Sequence, residues 1–359
     1  MPTDVRILDP LEALVQGPSR RTFRVGLALP MSGVLGMAGP SALEAALLAG
    51  MEINTLRTSA ERKVEFVVLD SGGPADHVSG MVSELSSSGA VEAFVGLHTS
   101  RTREHVERAL ARRHVPYVFT AGHEAADLVP GLYCSGESPV QLMSGLARVM
   151  SERQVLDWAI VGTDYVWPRA MRRAARAVVE SHSGRVVLDR LLPVGTVGAT
   201  LEGVINDLTS SSAGGIIINM PGRDLTKTLL ALRGRSLDQR LLRFSGGLEE
   251  NVLYAINGDS SGNLYSTQHS FESLPSERRV ELNARYRSAF GDHSPVLNSW
   301  AEHCYDGAHL VAALDTAGLL TSAALGAFDD PNTPPEALGI RPQYDIHLAV
   351  AAGMSFLVL

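Results

Sequence analysis

The stretch Gly162–Arg169, which reads Gly-Thr-Asp-Tyr-Val-Trp-Pro-Arg, carries residue types suited to binding a small polar molecule. It follows an apolar run, Asp157–Val161, that predicts a buried parallel strand, and it precedes a helical pattern. In open α/β sheets, ligands bind beyond the carboxyl ends of the strands. Tyr165 and Trp167 beside Asp164 therefore predict one wall of a binding site, and loop packing by the two rings is the alternative.

Hydroxyl groups recur after other apolar runs of the chain. Hydroxyls and free backbone N–H groups at the start of a helix suit a carbonyl or carboxylate oxygen, although Ser and Thr also serve there as simple helix caps. A site lined in this way binds by hydrogen bonds and needs no pair of nucleophile and base. The contacts predicted at these strand ends are Ser32, His98, Thr99, Ser100, Thr120 and Tyr165.

Three motifs resemble catalytic or nucleotide-binding patterns without meeting their requirements. Gly258–Gly262 fits G-x-S-x-G, but it precedes a predicted strand and no helix follows, so it predicts a turn. His123–Asp127 departs from the zinc-binding H-E-x-x-H pattern at its last position. Gly33, Gly36 and Gly39 lack the dinucleotide-binding spacing, and no P-loop lysine follows them. The sequence therefore predicts a protein that is not an enzyme and has no cofactor and no metal.

Composition restricts the classes of partner. The 359 residues are 45% hydrophobic and 6% aromatic, which suits about two domains. The net charge is −8, and the basic residues near Arg169–Arg176 fit the solvated side of one helix, so we expect no direct contact with nucleic acid. Apolar runs stay below the roughly 18 residues that a membrane span needs, so we expect no membrane insertion.

The first residues and the cysteines bear on location. Met1–Arg21 lacks the apolar core of a signal peptide, which predicts a cytoplasmic protein; a misassigned or processed start would make it periplasmic or place it at the cell surface. Cys134 and Cys304 lie far apart and have no zinc spacing, which fits a reducing compartment; a disulfide between them is the alternative for an exported protein.

Apolar runs alternate with amphipathic stretches from residue 22, and the alternation restarts after Pro139. This pattern predicts an α/β fold with two doubly wound, Rossmann-like lobes. We expect an N-terminal extension at 1–21, lobe 1 from 22–138 with about 265–325, and lobe 2 from 139–264 with about 326–359.

These segments together resemble the type I periplasmic binding-protein superfamily. The resemblance lies in Val25–Pro30 with the Ser32-Gly33 loop, in Asp70–Pro74, and in Phe94–Gly96 with Thr99–Thr102. Gly162–Arg169 narrows it to the branch that holds urea-binding and short-chain amide transporter proteins and the amide sensors of amidase operons. Ser299–Glu302 with Tyr305 is similar to the late helix of that branch.

The resemblance implies two lobes joined by three crossings, which close on a ligand held between them. It implies that Asn219 and Met220, at the end of another strand, face the hydroxyl loops from the second lobe. His98 and Val118 lie where the amide sensors tend to have aromatic residues, so a ligand that is larger than a small amide, or different from it, is an open alternative.

Two functions follow from this resemblance. The first is a cytoplasmic amide sensor that binds a small amide or urea-like molecule and regulates amidase or nitrile hydratase genes through an antiterminator or activator. The alternative is the substrate-binding component of an ABC importer for urea, short-chain amides or branched-chain amino acids, with a permease as partner. An amino-acid ligand needs an ammonium partner, for which Asp164 or Glu302 is the candidate. A second copy of the chain is a further candidate partner.

Overall fold

The computed structural model describes residues 5–111, 113, 115–124, 132–195, 199–320 and 345–359. The chain divides into two compact units. Unit 1 takes its described residues from Met1–Gly33, Ala38–Gly136 and Asn283–Tyr344. Unit 2 takes its described residues from Val34–Met37, Glu137–Leu282 and Asp345–Leu359.

Unit 1 is built on a parallel sheet. Its strands are β1 (Ile7–Leu8), β2 (Thr22–Leu29), β3 (Lys63–Asp70), β4 (Ala93–Gly96), β5 (Tyr117–Phe119) and β6 (Leu132–Cys134). They lie in the order β1-β3-β2-β4-β5-β6, and every neighbouring pair is parallel. The helices are α1 (Pro10–Gln16), α2 (Gly39–Leu56), α3 (Ala75–Ser87), α4 (Ser100–Leu110) and α12 (Ser299–Thr316).

Unit 2 is built on a mixed sheet. Its strands are β7 (Asp157–Thr163), β8 (Arg185–Leu192), β9 (Gly215–Asn219), β10 (Leu242–Phe244), β11 (Leu264–Gln268), β12 (His347–Ala352) and β13 (Ser355–Val358). They lie in the order β13-β12-β11-β10-β9-β7-β8, and only the pairs that involve β12 are antiparallel. The helices are α5 (Pro139–Arg153), α6 (Val166–Ser181), α7 (Ala199–Ser210), α8 (Gly222–Gly234), α9 (Leu237–Arg240) and α10 (Glu250–Ala255), and α11 (Glu277–Phe290) runs across the border of the two units.

Alternating side chains of β7 show how the core of unit 2 is layered. Trp158 and Ile160 pack into one buried cluster, and Ala159 and Val161 pack into another. Because successive side chains of a strand point to opposite faces, the two clusters lie on opposite sides of the sheet. Both faces are therefore covered, which explains the continuous apolar run in the sequence.

Each sheet has one point at which the strand order reverses. In unit 1 the chain goes from β2 to β3 on one side and then to β4 on the other, so the reversal lies between β2 and β4. In unit 2 it lies between β7 and β9. Ligands of open α/β sheets bind beyond the carboxyl ends of the strands at such a point. The loops after these four strands are therefore where the fold favours a ligand.

The unit borders correct the expected domains in two places. Residues 7–8 form β1, which pairs with β3, so they belong to the sheet of unit 1 and not to an extension. β11 pairs with β10, which places residues 265–282 in unit 2 instead of lobe 1. Residues 345–359 lie in unit 2 as expected, and residues 321–344 fall outside the described part of the chain.

Among the described residues, no helix is both long enough and apolar enough to cross a bilayer.

Candidate functional site

Asn219 ends β9 beside the reversal point of unit 2, and its side chain is fully buried. Gly162 of β7 is its partner in the ladder, and an added Cβ at 162 would lie 3.3 Å from the Asn219 Cβ. Neither the amide oxygen nor the amide nitrogen of Asn219 has a hydrogen-bond partner among the residues that the structure describes. Because burying unpaired polar groups costs free energy, these two atoms are suited to a bound group that supplies a donor and an acceptor.

Other polar atoms at the carboxyl ends of the unit 2 strands share this feature. Thr163 Oγ1, Trp167 Nε1, Thr267 Oγ1 and Gln268 Oε1 are all buried and have no hydrogen-bond partner within the described chain. None of these side chains is charged. We call Thr163, Trp167, Asn219, Thr267 and Gln268 the unit 2 edge.

Sequence reasoning identified part of the unit 2 edge. Thr163 and Trp167 lie inside the loop singled out at Gly162–Arg169, and Asn219 was a predicted contact. Thr267 and Gln268 were missed, although they end a predicted strand, and the rule applied to the other strand ends would have found them.

Charged side chains near the unit 2 edge are already paired. The Asp164 carboxylate accepts a hydrogen bond from Arg169 at 2.7 Å, and both side chains are exposed. The hydrogen bond from Arg169 lowers the pKa of Asp164. Glu137 Oε1 lies 2.8 Å from His269 Nδ1 and accepts the His269 backbone N–H at 3.0 Å. Uncharged groups are therefore the ones that this edge offers to a ligand.

Tyr165 and Met220 lie in different surroundings. Tyr165 is half-buried against the apolar cluster that contains Trp167, and it occupies the position before the first residue of α6. Met220 is buried in the opposite cluster, where its sulfur accepts a hydrogen bond from Thr228 Oγ1 at 3.1 Å. We retain Tyr165 among the proposed contacts and leave Met220 out.

Ser32 lies in an exposed turn after β2 that one carboxylate organises. Asp70 Oδ1 accepts backbone N–H groups from Met31 at 2.9 Å, Ser32 at 3.2 Å and Gly72 at 2.8 Å. Burial alone raises the pKa of Asp70, but these hydrogen bonds and one from the Ser32 side chain lower it below its ordinary value. Gly33 has φ +72°, and a Cβ there would lie 2.4 Å from the Gly72 oxygen. The turn is fixed, with Ser32 at its surface.

His98 and Thr120 face the interior of unit 1. His98 Nε2 lies 2.6 Å from the Tyr117 hydroxyl, and Nδ1 lies 3.2 Å from the Thr99 carbonyl oxygen. Burial lowers the pKa of His98 to about 4, so the ring is neutral at pH 7. Thr120 Oγ1 donates to the Gly96 oxygen at 3.1 Å and lies 3.2 Å from Cys304 Sγ. These internal partners remove both residues from our proposed ligand contacts.

Thr99 and Ser100 begin α4 directly beyond β4. Thr99 is the N-cap, and its hydroxyl accepts the Thr102 backbone N–H at 3.4 Å. The buried Ser100 hydroxyl donates to the Glu124 carboxylate, which also accepts from Arg103 at 2.7 Å. Thr99 therefore acts as a cap, which was the alternative to a ligand contact, whereas Ser100 contacts a carboxylate of the protein itself.

A family model described as "Periplasmic binding protein" matches residues 22–328, which is most of the chain. The chain belongs to this family. Its two-lobe α/β fold with parallel sheets is the fold that the sequence predicted.

Solved structures of similar fold are solute-binding proteins. One from Rhodopseudomonas palustris in complex with 4-hydroxybenzoate is 18% identical, with a TM-score of 0.78 over 94% of this chain and 97% of that one. A branched-chain amino acid transporter protein from Streptococcus pneumoniae in complex with isoleucine is 17% identical, with a TM-score of 0.77 over 94% and 99%. A periplasmic binding protein from Burkholderia mallei is 15% identical, with a TM-score of 0.80 over 95% and 94%. They are binding proteins, in keeping with the prediction that this chain is not an enzyme.

Proposed function

We propose that the chain is the substrate-binding component of an ABC importer and that it binds a small, uncharged polar molecule of the amide or urea class. The observation that carries the ligand class is the buried carboxamide of Asn219, whose donor and acceptor have no partner among the described residues. A ligand amide presents the complementary acceptor and donor, so one group satisfies both atoms.

The comparisons favour a transport role over gene regulation. The similar structures include ABC transporter proteins for 4-hydroxybenzoate and for fatty acids, and a branched-chain amino acid transporter protein bound to isoleucine. We therefore place the importer before the amide sensor, with an ABC permease as the partner. The predicted cytoplasmic location receives no support from these comparisons, whose family description names the periplasm.

At the unit 2 edge, an amino acid is a less suitable ligand than an amide. It would bring an ammonium group that needs a carboxylate, but Asp164 is exposed and bonded to Arg169, and Glu137 is bonded to His269. Glu302, the other predicted partner, is buried within α12. The unit 2 edge offers hydroxyl, indole and amide groups instead.

The cytoplasmic amide sensor is the second candidate function, because Gly162–Arg169 resembles the branch that contains such sensors. It shares the ligand class with the importer and differs in its partner. Affinity capture with the purified chain separates them: a permease as the specific partner supports the importer, and an antiterminator or activator supports the sensor.

Asn219→Leu tests the proposed ligand site. The change replaces an unpaired buried amide by an apolar side chain of similar size, so we expect the free energy of unfolding to stay equal or to rise by about 1 kcal/mol. We expect the affinity for a binding amide to fall at least roughly tenfold, because the ligand loses a donor and an acceptor. Urea unfolding and isothermal titration calorimetry measure the two quantities.

The exposed Asn206 of α7 provides the matched control. Asn206→Leu should leave the affinity of the amide unchanged. If Asn219→Leu binds the amide as tightly as the parent protein, Asn219 is not a ligand contact and the proposed site is wrong.

A further inference from the structure

The carboxylate of Glu124 lies at the reversal point of unit 1, beside the first turn of α4. Its side chain is only 7% exposed. One oxygen accepts the hydroxyl hydrogen of Ser100, and the other accepts Nη2–H of Arg103 at 2.7 Å. A protein carboxylate is therefore bound where the fold favours a ligand.

The charges around Glu124 leave this place negative. Arg103 is largely buried and also donates to Glu107 at 2.7 Å, so one guanidinium serves two carboxylates. When both carboxylates are ionised, the three side chains carry a net charge of −1. A second anion brought to this place would meet like charge in a region of low dielectric, where repulsion is strong.

The Ser100 hydroxyl has a defined hydrogen-bond direction. A hydroxyl has one hydrogen and two lone pairs, and Ser100 gives its hydrogen to Glu124. A ligand that reaches Ser100 can therefore donate to its oxygen but cannot receive a hydrogen bond from it. An N–H group meets that requirement, whereas an ionised carboxylate has no hydrogen to donate.

We propose that Glu124 is a specificity-determining residue that admits N–H donors such as amides at Ser100 and rejects carboxylates of the same shape. This inference rests on the proposed function, since it assigns which group of that ligand contacts Ser100. It predicts discrimination between pairs of compounds that differ in one group, for example benzamide against benzoate and propionamide against propionate.

Calorimetric titration of these pairs at neutral pH tests the selectivity. We expect the parent protein to bind each amide at least roughly tenfold more tightly than the matching carboxylate. In Glu124→Gln we expect the carboxylate to bind more tightly, so that this ratio of affinities falls by a factor of about ten. Glu84→Gln removes an equal charge from the exposed surface of α3 and should leave the preference unchanged. Equal binding of amide and carboxylate by the parent protein, or an unaltered preference in Glu124→Gln, would overturn the inference.

A second measurement does not depend on the physiological ligand. In Glu124→Ala the place between Ser100 and Arg103 is open, so acetate should bind there and raise the Tm by about 3 °C at constant ionic strength. Acetamide should have no such effect on this variant, and acetate should have none on the parent protein or on Glu84→Ala. If acetate does not change the Tm of Glu124→Ala, the role of Glu124 is contradicted, even if amides bind the parent protein. If no compound binds the parent protein, the proposed function alone is contradicted.

Discussion

At the scale of single residues, we distinguish a proposed ligand contact from a core residue by asking whether its buried polar atoms have hydrogen-bond partners in the protein. Asn219 and His98 are both buried at strand ends, but the two ring nitrogens of His98 have partners in Tyr117 and Thr99, and the Asn219 amide has none within the described residues. We therefore assign His98 to the structure of unit 1, and we keep Asn219 as the proposed ligand contact.

His98 makes stability depend on pH in a definite direction. Burial lowers its pKa from 6.5 to about 4, so the unfolded chain binds a proton between these pH values while the folded chain does not. The contribution of His98 to the free energy of unfolding is therefore complete above pH 6.5. It decreases by about 3 kcal/mol in all as the pH drops toward 4.

His98→Gln removes this titration, and we expect its unfolding free energy to depend less steeply on pH over that range. Urea unfolding of both proteins at several pH values measures the difference. Parallel pH profiles would mean that His98 does not titrate as its burial requires.

Sequence alone predicted the strand ends but not the direction of each side chain. Asn219 and Met220 are neighbours, yet Met220 points into the core on one face of the sheet and Asn219 belongs to the other face. A shift of one residue in the end of a strand exchanges the two faces, and apolar runs do not fix that end so closely. Thr120 was likewise predicted from its position at a strand end, but its hydroxyl donates to the Gly96 oxygen inside unit 1.

At the scale of elements, the sequence revealed the strands that lie within its apolar runs. These runs predicted β2 and β7, both of which the structure contains. Gly258–Gly262 was expected to be a turn before a strand, and in the structure it is followed by the strand β11 and not by a helix. β1 and β6, of two and three residues, were missed.

Gly145 positions α5 against β11, and hence against Thr267 of the unit 2 edge. A Cβ at 145 would lie 2.4 Å from Thr267 Oγ1 and 2.9 Å from Leu348 Cδ1. We expect Gly145→Ala to lower the free energy of unfolding by about 1–3 kcal/mol, because the helix and strand must move apart.

The control for this change is Gly203 in α7, where an added Cβ meets nothing within 4 Å. Gly203→Ala should raise the free energy of unfolding by about 0.5–1 kcal/mol, since alanine favours the helix. Thermal or urea unfolding of both variants tests the pair, and destabilisation of equal size at the two positions would refute the packing argument.

At the scale of the whole molecule, the two α/β lobes were predictable and their borders were not. The alternation of strands and helices restarts after Pro139, and this restart marks the second lobe. The assignment of β11 depends on its pairing with β10 and β12, and β12 lies about 80 residues further along the chain. Periodicity describes one segment at a time, so it does not contain such long-range pairing.

The family was also predictable at this scale, because the match spans residues 22–328. The ligand was not predictable, because in our proposal its choice depends on individual polar side chains such as Glu124 and Asn219. Fold is shared among the similar structures at 15–18% identity, while the ligands of these proteins differ.

The most direct test of the central claim follows the side-chain amide signals of Asn219 by NMR during addition of benzamide, propionamide or urea. The Asn219→Leu spectrum identifies these signals. Asn54 serves as an internal control, since its amide is bonded on both sides to Val64. We predict that a binding amide shifts the Asn219 signals at saturation and leaves those of Asn54 in place. Saturation without a shift of Asn219, or no binding of any of the three compounds, would contradict the account.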